Sequence, residues 1–356
     1  MSDDLVLVTG GTGFLGAHTV VRLIRAGYPV RTTIRNISAV DRFRSMLRAG
    51  GVDANAAAAV EVVEADLVAD AGWQAAVNGA RYVLHVASPY PAVAPRNPDE
   101  LLIPARDGSL RVLRAAREAG VRRVVLTSSF AAIGYGHPPM ERTFTERDWT
   151  DPTRPGVEAY QRSKAIAERE AWDFVAREGG SLELSVINPV AMIGPMLATP
   201  PSTSMQLMAQ ILNRAMPALP RLSYGIVDVR DAADLHLLAM TTPAAGGERF
   251  LATGGDAVWL TDIARVFRDH LGDAGRRVPL HAMPDTVLRA LALVSPFVRP
   301  MTHDLGVMKH LDNTKSREML GWRPRTTEET LIATGESLLR YGLIAHLDPA
   351  RQRRAR

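Results

Sequence analysis

The chain of 356 residues contains no cysteine, so disulfide frameworks, thiolate metal sites and cysteine nucleophiles are all excluded. Its chemistry must use oxygen and nitrogen groups. Lysine is almost as scarce: of 42 basic residues only Lys164, Lys309 and Lys315 are lysines, and the rest are arginine. Long apolar runs are also missing. The stretch 287–298 is broken by Arg289 and Pro296 and falls short of the ~18 residues a membrane-spanning helix needs. The start, Met1-Ser2-Asp3-Asp4, is acidic and lacks the cationic segment and cleavage site of a signal peptide. These absences predict a cytoplasmic protein with no membrane partner.

An excess of charge of one sign is missing from the body of the chain as well. The pI is near 9.6 and the formal net charge is +4. Arg351, Arg353, Arg354 and Arg356, with no acid among the last six residues, account for all of it. Residues 346–356 are therefore expected to be a basic, disordered tail rather than one end of a basic face, and no nucleic-acid partner is expected. Histidines offer no metal site, because no pair has the i, i+4 spacing with a nearby acid. His85, at the end of an expected strand, reads as structural.

What the chain does contain is rhythm. Short β-branched runs at 5–9, 30–34, 60–64, 82–86, 124–127 and 184–187 alternate with helical patterns at 13–26, 39–49, 72–77, 98–119 and 158–177. That alternation predicts an α/β fold, a doubly wound parallel sheet of Rossmann type. After Pro189 the texture becomes Pro- and Met-rich and irregular. A last strand near 249–252 and helices at 260–271, 284–293 and 327–341 suggest a smaller C-terminal substrate-binding lobe. The expected division is a dinucleotide-binding domain over 1–190, with 226–255 interleaved, and a lobe formed by 191–225 and 256–345.

The first strand runs into Thr9-Gly10-Gly11-Thr12-Gly13-Phe14-Leu15-Gly16, with glycines three apart at 10, 13 and 16. The first permits a tight turn, the second a close approach of backbone to pyrophosphate, and the third helix–sheet packing, while the helix N-terminus faces the negative charge. The end of the second strand carries no acid to bind a ribose 2′-hydroxyl. Arg35 stands there instead, suited to a 2′-phosphate, so NADP (NADPH) is the expected cofactor. Asp66-Leu67 closes the third strand, where Asp66 could reach the adenine amine or cap a helix.

With seven tyrosines and three lysines, a chance Tyr-x-x-x-Lys pair is expected about 0.06 times in such a chain, yet Tyr160 and Lys164 form one. On a helix they share a face one turn apart. An ammonium beside a phenol favours the phenolate and lowers a pKa that is otherwise near 10, which suits Tyr160 as general acid or base. Lys164 would also bond the nicotinamide ribose. A hydroxyl of Thr127-Ser128-Ser129, at the end of the fifth strand, would polarise a substrate carbonyl.

These residues resemble the extended branch of the short-chain dehydrogenase/reductases, in the dihydroflavonol 4-reductase and cinnamoyl-CoA reductase-like group of the NAD-dependent epimerase/dehydratase superfamily. The likeness runs from Leu5 to about Tyr341. It rests on TGGTGFLG at 9–16, ADL at 65–67, HVASP at 85–89, TSS at 127–129, YQRSK at 160–164, INP at 187–189, GP at 194–195, DVRD at 228–231 and LGWRPR at 320–325. The resemblance implies an NADP-dependent oxidoreductase that moves a hydride between nicotinamide and a carbonyl carbon. By motif position it makes Ser129 the catalytic serine, although sequence alone does not separate it from Ser128. It also carries Arg35 onto the adenosine 2′-phosphate and places Val86, Ala87, Ser88, Pro189 and Val190 beside the cofactor.

Residues 131–150 do not resemble the plant flavonoid reductases, so dihydroflavonol is not carried over as substrate. On the substrate side the candidates are Tyr90, Phe130, Tyr224 and the methionines Met192, Met196 and Met205, which form either an adaptable apolar wall or core filling. The reading is an NADPH-dependent reductase of small apolar aldehydes or ketones to alcohols. Three alternatives stay open: a 3β-hydroxysteroid dehydrogenase, a sugar-nucleotide epimerase or dehydratase, and a non-catalytic NADP-sensing regulator. Helix patterns leave monomer and homodimer equally possible.

Overall fold

The computed structural model describes residues 4–88, 97–138, 142–295 and 298–345. The expected β/α alternation forms a seven-stranded sheet of β1 (Val6–Val8), β2 (Val30–Ile34), β3 (Glu61–Glu64), β4 (Tyr82–His85), β5 (Arg123–Thr127), β6 (Glu183–Pro189) and β7 (Arg249–Ala252). Its spatial order is β3-β2-β1-β4-β5-β6-β7, and every neighbouring pair is parallel. Sheet growth reverses between β1 and β4. In such sheets that reversal leaves a crevice at the carboxyl ends of the strands.

Side chains of alternating direction fill both faces. Val6 and Val8 of β1 join Val20, Leu23, Phe43, Leu235 and Phe250 on one face, whereas Leu7 joins Val83, Val112, Val124 and Phe174 on the other. The first face is covered by α1 (Phe14–Arg25) and α2 (Val40–Ala49), the second by α3 (Asp99–Glu118) and α4 (Ala159–Glu178). Burial on both faces explains why the central strands read as continuous apolar runs.

The irregular region after Pro189 contains two helices that its proline-rich texture concealed, α5 (Thr203–Leu212) and α6 (Val229–Thr241). The second belongs to the sheet layers: Val229, Ala232 and Ala233 pack on Leu15 of α1. A separate core gathers Met205, Met208, Ile211, Leu260, Ile263, Phe267 and Leu331. It is formed by α5 with α7 (Leu260–His270), α8 (Asp285–Val294) and α9 (Thr327–Arg340). No described helix is long and apolar enough to cross a membrane. The Arg-rich tail lies outside the described residues.

Trp322 links these layers. It is 2% exposed among the side chains of the first face, and its indole Nε1 donates to the Asp231 carbonyl at 3.0 Å. Trp322→Ala should lower the unfolding free energy by about 3–5 kcal/mol in denaturant titration. A loss below about 1 kcal/mol would contradict this placement.

Candidate active site

The glycine loop sits where β1 and β4 end together. The Thr9 amide donates to the Leu84 carbonyl at 3.0 Å, and the Thr9 hydroxyl accepts from the Ala87 amide at 2.9 Å. The same hydroxyl lies 2.9 Å from His85 Nδ1. Gly10 has φ +72°, and a Cβ there would stand 3.0 Å from that of Ala87. A Cβ on Gly16 would lie 2.2 Å from the Gly10 carbonyl oxygen, and one on Gly13 at 3.2 Å from the same atom. All three glycines therefore keep one turn open at the N-terminus of α1. Phe14, Leu15, Val86 and Met192 meet in the small apolar cluster beneath it.

At the end of β2, Arg35 is exposed and makes no ion pair among the described residues. Asp66 is half-buried, and its Oδ1 accepts from the Val68 amide at 3.1 Å, so it shapes the turn after β3. Leu67 packs against the bare face of Gly108 on α3. Pro189 closes β6 opposite Ala252, and the Val190 amide donates to the Ala252 carbonyl at 3.1 Å.

Helix α4 brings the acid–base candidates to this crevice. Its start is fixed by the Glu158 amide, which donates to Gln161 Oε1 at 2.9 Å. Tyr160 is half-buried and Lys164 is 7% exposed. The Lys164 ammonium donates to Ser88 Oγ at 2.8 Å. Burial pulls its pKa down to about 8, opposed by the negative charge of Glu168. His85 is also buried, and burial together with the Lys164 charge lowers its pKa to about 3, so the imidazole is neutral.

Helix α4 packs against the single turn Phe130–Ala132, which Ser129 caps by accepting from the Ala131 amide at 3.1 Å. The two adjacent serines differ in environment. Ser128 is buried and its hydroxyl is spent on Glu168 Oε2 at 2.5 Å, whereas Ser129 is half-buried.

The substrate-side candidates divide. Met196 and Met205 are 4% and 0% exposed and fill the C-terminal core, so as wall residues they are corrected to core filling. Gaps between α5, α7 and α9 take their flexible side chains. Phe130 is likewise buried, edge-on to Phe144 and Tyr135. Tyr224 is half-buried on a short strand paired with Val258, Met192 is half-buried, and Tyr90 lies outside the described residues. Asn188 and Glu168 are polar residues of the site that the sequence reading did not single out. Asn188 Nδ2 donates to the Ser129 carbonyl at 3.2 Å and to Glu168 at 2.7 Å. The fourfold spacing of 160, 164 and 168 was the available signal for Glu168.

The profile of the NAD dependent epimerase/dehydratase family matches residues 6–252. An uncharacterized oxidoreductase of Schizosaccharomyces pombe is 34% identical, covering 95% of this chain and 98% of its own. Cinnamoyl-CoA reductase CAD2 of Medicago truncatula is 30% identical, covering 75% of this chain and 80% of its own. Yeast methylglyoxal/isovaleraldehyde reductase Gre2, solved with NADPH, superposes with a TM-score of 0.77 at 25% identity, over 95% of this chain and 99% of its own.

Gly16→Ala forces the loop to open, because the new methyl would overlap the Gly10 carbonyl. Dinucleotide affinity, read by fluorescence titration, should fall by about tenfold or more with the helical circular dichroism preserved. Unchanged affinity would contradict the cradle.

Proposed function

The chain belongs to the NAD dependent epimerase/dehydratase family, in the branch of the dihydroflavonol 4-reductases and cinnamoyl-CoA reductases, and from that membership we propose that it reduces apolar aldehydes or ketones to alcohols, reversibly, with Tyr160 as proton donor. It is an NADP-dependent oxidoreductase. The observation that carries the reading is the Lys164 ammonium, buried one turn from half-buried Tyr160 on the helix that packs against the Ser129 turn.

The residues present fit the cofactor. Gly10, Gly13 and Gly16 leave a cradle that any Cβ would narrow, and Arg35, without an ion pair among the described residues, offers its guanidinium at the end of β2 for a 2′-phosphate. Bound NADPH supplies the hydride. We assign to the same cofactor Thr9, Asp66, Leu67, Val86, Ala87, Ser88, Pro189 and Val190, which stand at or just beyond the carboxyl ends of β1, β3, β4 and β6, and Phe14 and Leu15, which open α1.

Ser129 donates a hydrogen bond to the substrate carbonyl oxygen and so stabilises the negative charge that develops there. Tyr160 gives its phenolic proton to that oxygen. Lys164 lowers the cost of the resulting phenolate by its charge and holds the nicotinamide ribose. Arg35 argues against a sugar-nucleotide epimerase that retains NAD, because such a site wants an acid at the end of β2.

The test is loss of reduced-nicotinamide absorbance with NADPH and NADH, separately, across aryl ketones, aliphatic aldehydes, ketosteroids and one nucleotide sugar. NADPH-dependent turnover on an apolar carbonyl is expected, and preference for the nucleotide sugar would overturn the proposal. Tyr160→Phe and Lys164→Met should each lower kcat by about a hundredfold or more with NADPH still bound, and a retained rate would contradict their roles. Arg35→Glu should weaken NADPH far more than NADH in a binding titration; equal weakening would remove Arg35 as the phosphate reader.

A further inference from the structure

Helix α4 carries a third polar residue in line with the acid–base pair. Tyr160, Lys164 and Glu168 are four residues apart, so they follow one another a turn at a time. Glu168 is 1% exposed, and a buried carboxylate persists only if donors satisfy it. Four side chains do so: Ser128 Oγ at 2.5 Å, Asn188 Nδ2 at 2.7 Å, Arg249 Nε at 2.5 Å and Trp172 Nε1 at 3.4 Å. Ser128 follows β5, Asn188 lies on β6 and Arg249 on β7. One carboxylate thus ties three neighbouring strands to the catalytic helix.

The tie reaches Ser129 by two routes. Ser128 precedes it in the chain, and the Asn188 amide that donates to Glu168 also donates to the Ser129 carbonyl at 3.2 Å. Arg249 is itself held from behind, with its guanidinium 3.6 Å from the Trp149 ring centre and bonded to the carbonyls of Glu146 and Asp148. Lys164, Ser88, Ser128 and Glu168 line one small cavity between the sheet and α4.

We propose that Glu168 is a positioning residue, which fixes the Ser128–Ser129 strand end against α4 and supplies the counter-charge to the Lys164 ammonium. The proposal rests on the reading in which Ser129, Tyr160 and Lys164 carry out carbonyl reduction. Among the described residues, the titratable groups that act on or respond to Lys164 are Glu168 on its own helix and neutral His85 on β4, and Tyr160 stands one turn before it on the same helix. Among the described residues the α3 side of the cavity contributes Ala105 and Ser109, neither of them charged, and Arg249 on β7 reaches Lys164 through Glu168. Glu168, whose own ion pair is with Arg249, is the carboxylate that shares this cavity with Lys164 among the described residues.

Because the chain has three lysines, incorporation of lysine labelled with carbon-13 at Cε gives a spectrum in which each can be followed through a pH titration. Lys164→Met identifies the Lys164 signal. In Glu168→Gln, which keeps the size but not the charge, Lys164 should titrate lower by about half a pH unit or more, and Glu168→Asp should restore most of the difference. The alkaline limb of the kcat profile should move to lower pH by the same amount, with KM unchanged. An unmoved Lys164 titration in Glu168→Gln overturns the proposal. So does a uniform loss of kcat with the alkaline limb in place, the signature of a purely structural role.

Ser128→Ala tests the positioning half without touching the charge. It should lower kcat by about tenfold while leaving the Lys164 titration where it was, and an unchanged kcat overturns that half. The lysine titration needs no turnover. If Lys164→Met proves fully active, the reductase chemistry fails while the spectra still decide the coupling of Glu168 to Lys164.

Discussion

The close approach of β1 and β4 at their carboxyl ends is the constraint from which the site follows. Thr9 spans the gap, with its amide on Leu84 and its hydroxyl between Ala87 and His85. So little space remains that Gly10 must lack a side chain. Because sheet growth reverses here, α1 and α3 leave on opposite faces and the crevice between them stays open. The cradle and the helix that carries Tyr160 and Lys164 then need only be placed around that opening, which α4 achieves by packing on α3 and on the turn capped by Ser129.

The buried charges of the molecule separate by how fully they are compensated. Arg123 is 1% exposed, and it bonds Glu183 and the carbonyls of Ala239, Met240, Thr242 and Pro243. A guanidinium so surrounded is structural, closing the carboxyl end of α6 and fixing it to the sheet. Lys164 is nearly as buried but is hydrogen-bonded only to Ser88 among the described residues, and its proton is correspondingly loosened, to a pKa of about 8. A buried cation with so few direct partners is costly to the fold, and a shifted pKa of this kind suits a site of proton transfer.

Local spacing carried much of this into the sequence. The glycines at 10, 13 and 16 and the pair Tyr160 and Lys164 each lie within a turn or two of chain, so their pattern survives without the fold, and strands β2 and β7 keep the expected limits. What was hidden depended on distant partners. Ser128 and Ser129 are equivalent on paper until Glu168 and Asn188, 40 and 59 residues away from them, claim one hydroxyl and one carbonyl. The methionines Met196 and Met205 have the composition of a pocket wall, and only the assembly of α5, α7 and α9 decides that they face a core. Helices α5 and α6 were concealed by the prolines around them, although neither contains one.

The central claim, that a hydride passes from NADPH to an apolar carbonyl at this site, is tested most directly by isotope transfer. Turnover with NADPH deuterated at nicotinamide C4, followed by mass spectrometry of the product, should place one deuterium on the carbinol carbon. Tyr160→Phe should nearly abolish its formation. Recovery of the label on the cofactor after turnover of a nucleotide sugar, with no deuterated alcohol from any carbonyl, would contradict the account.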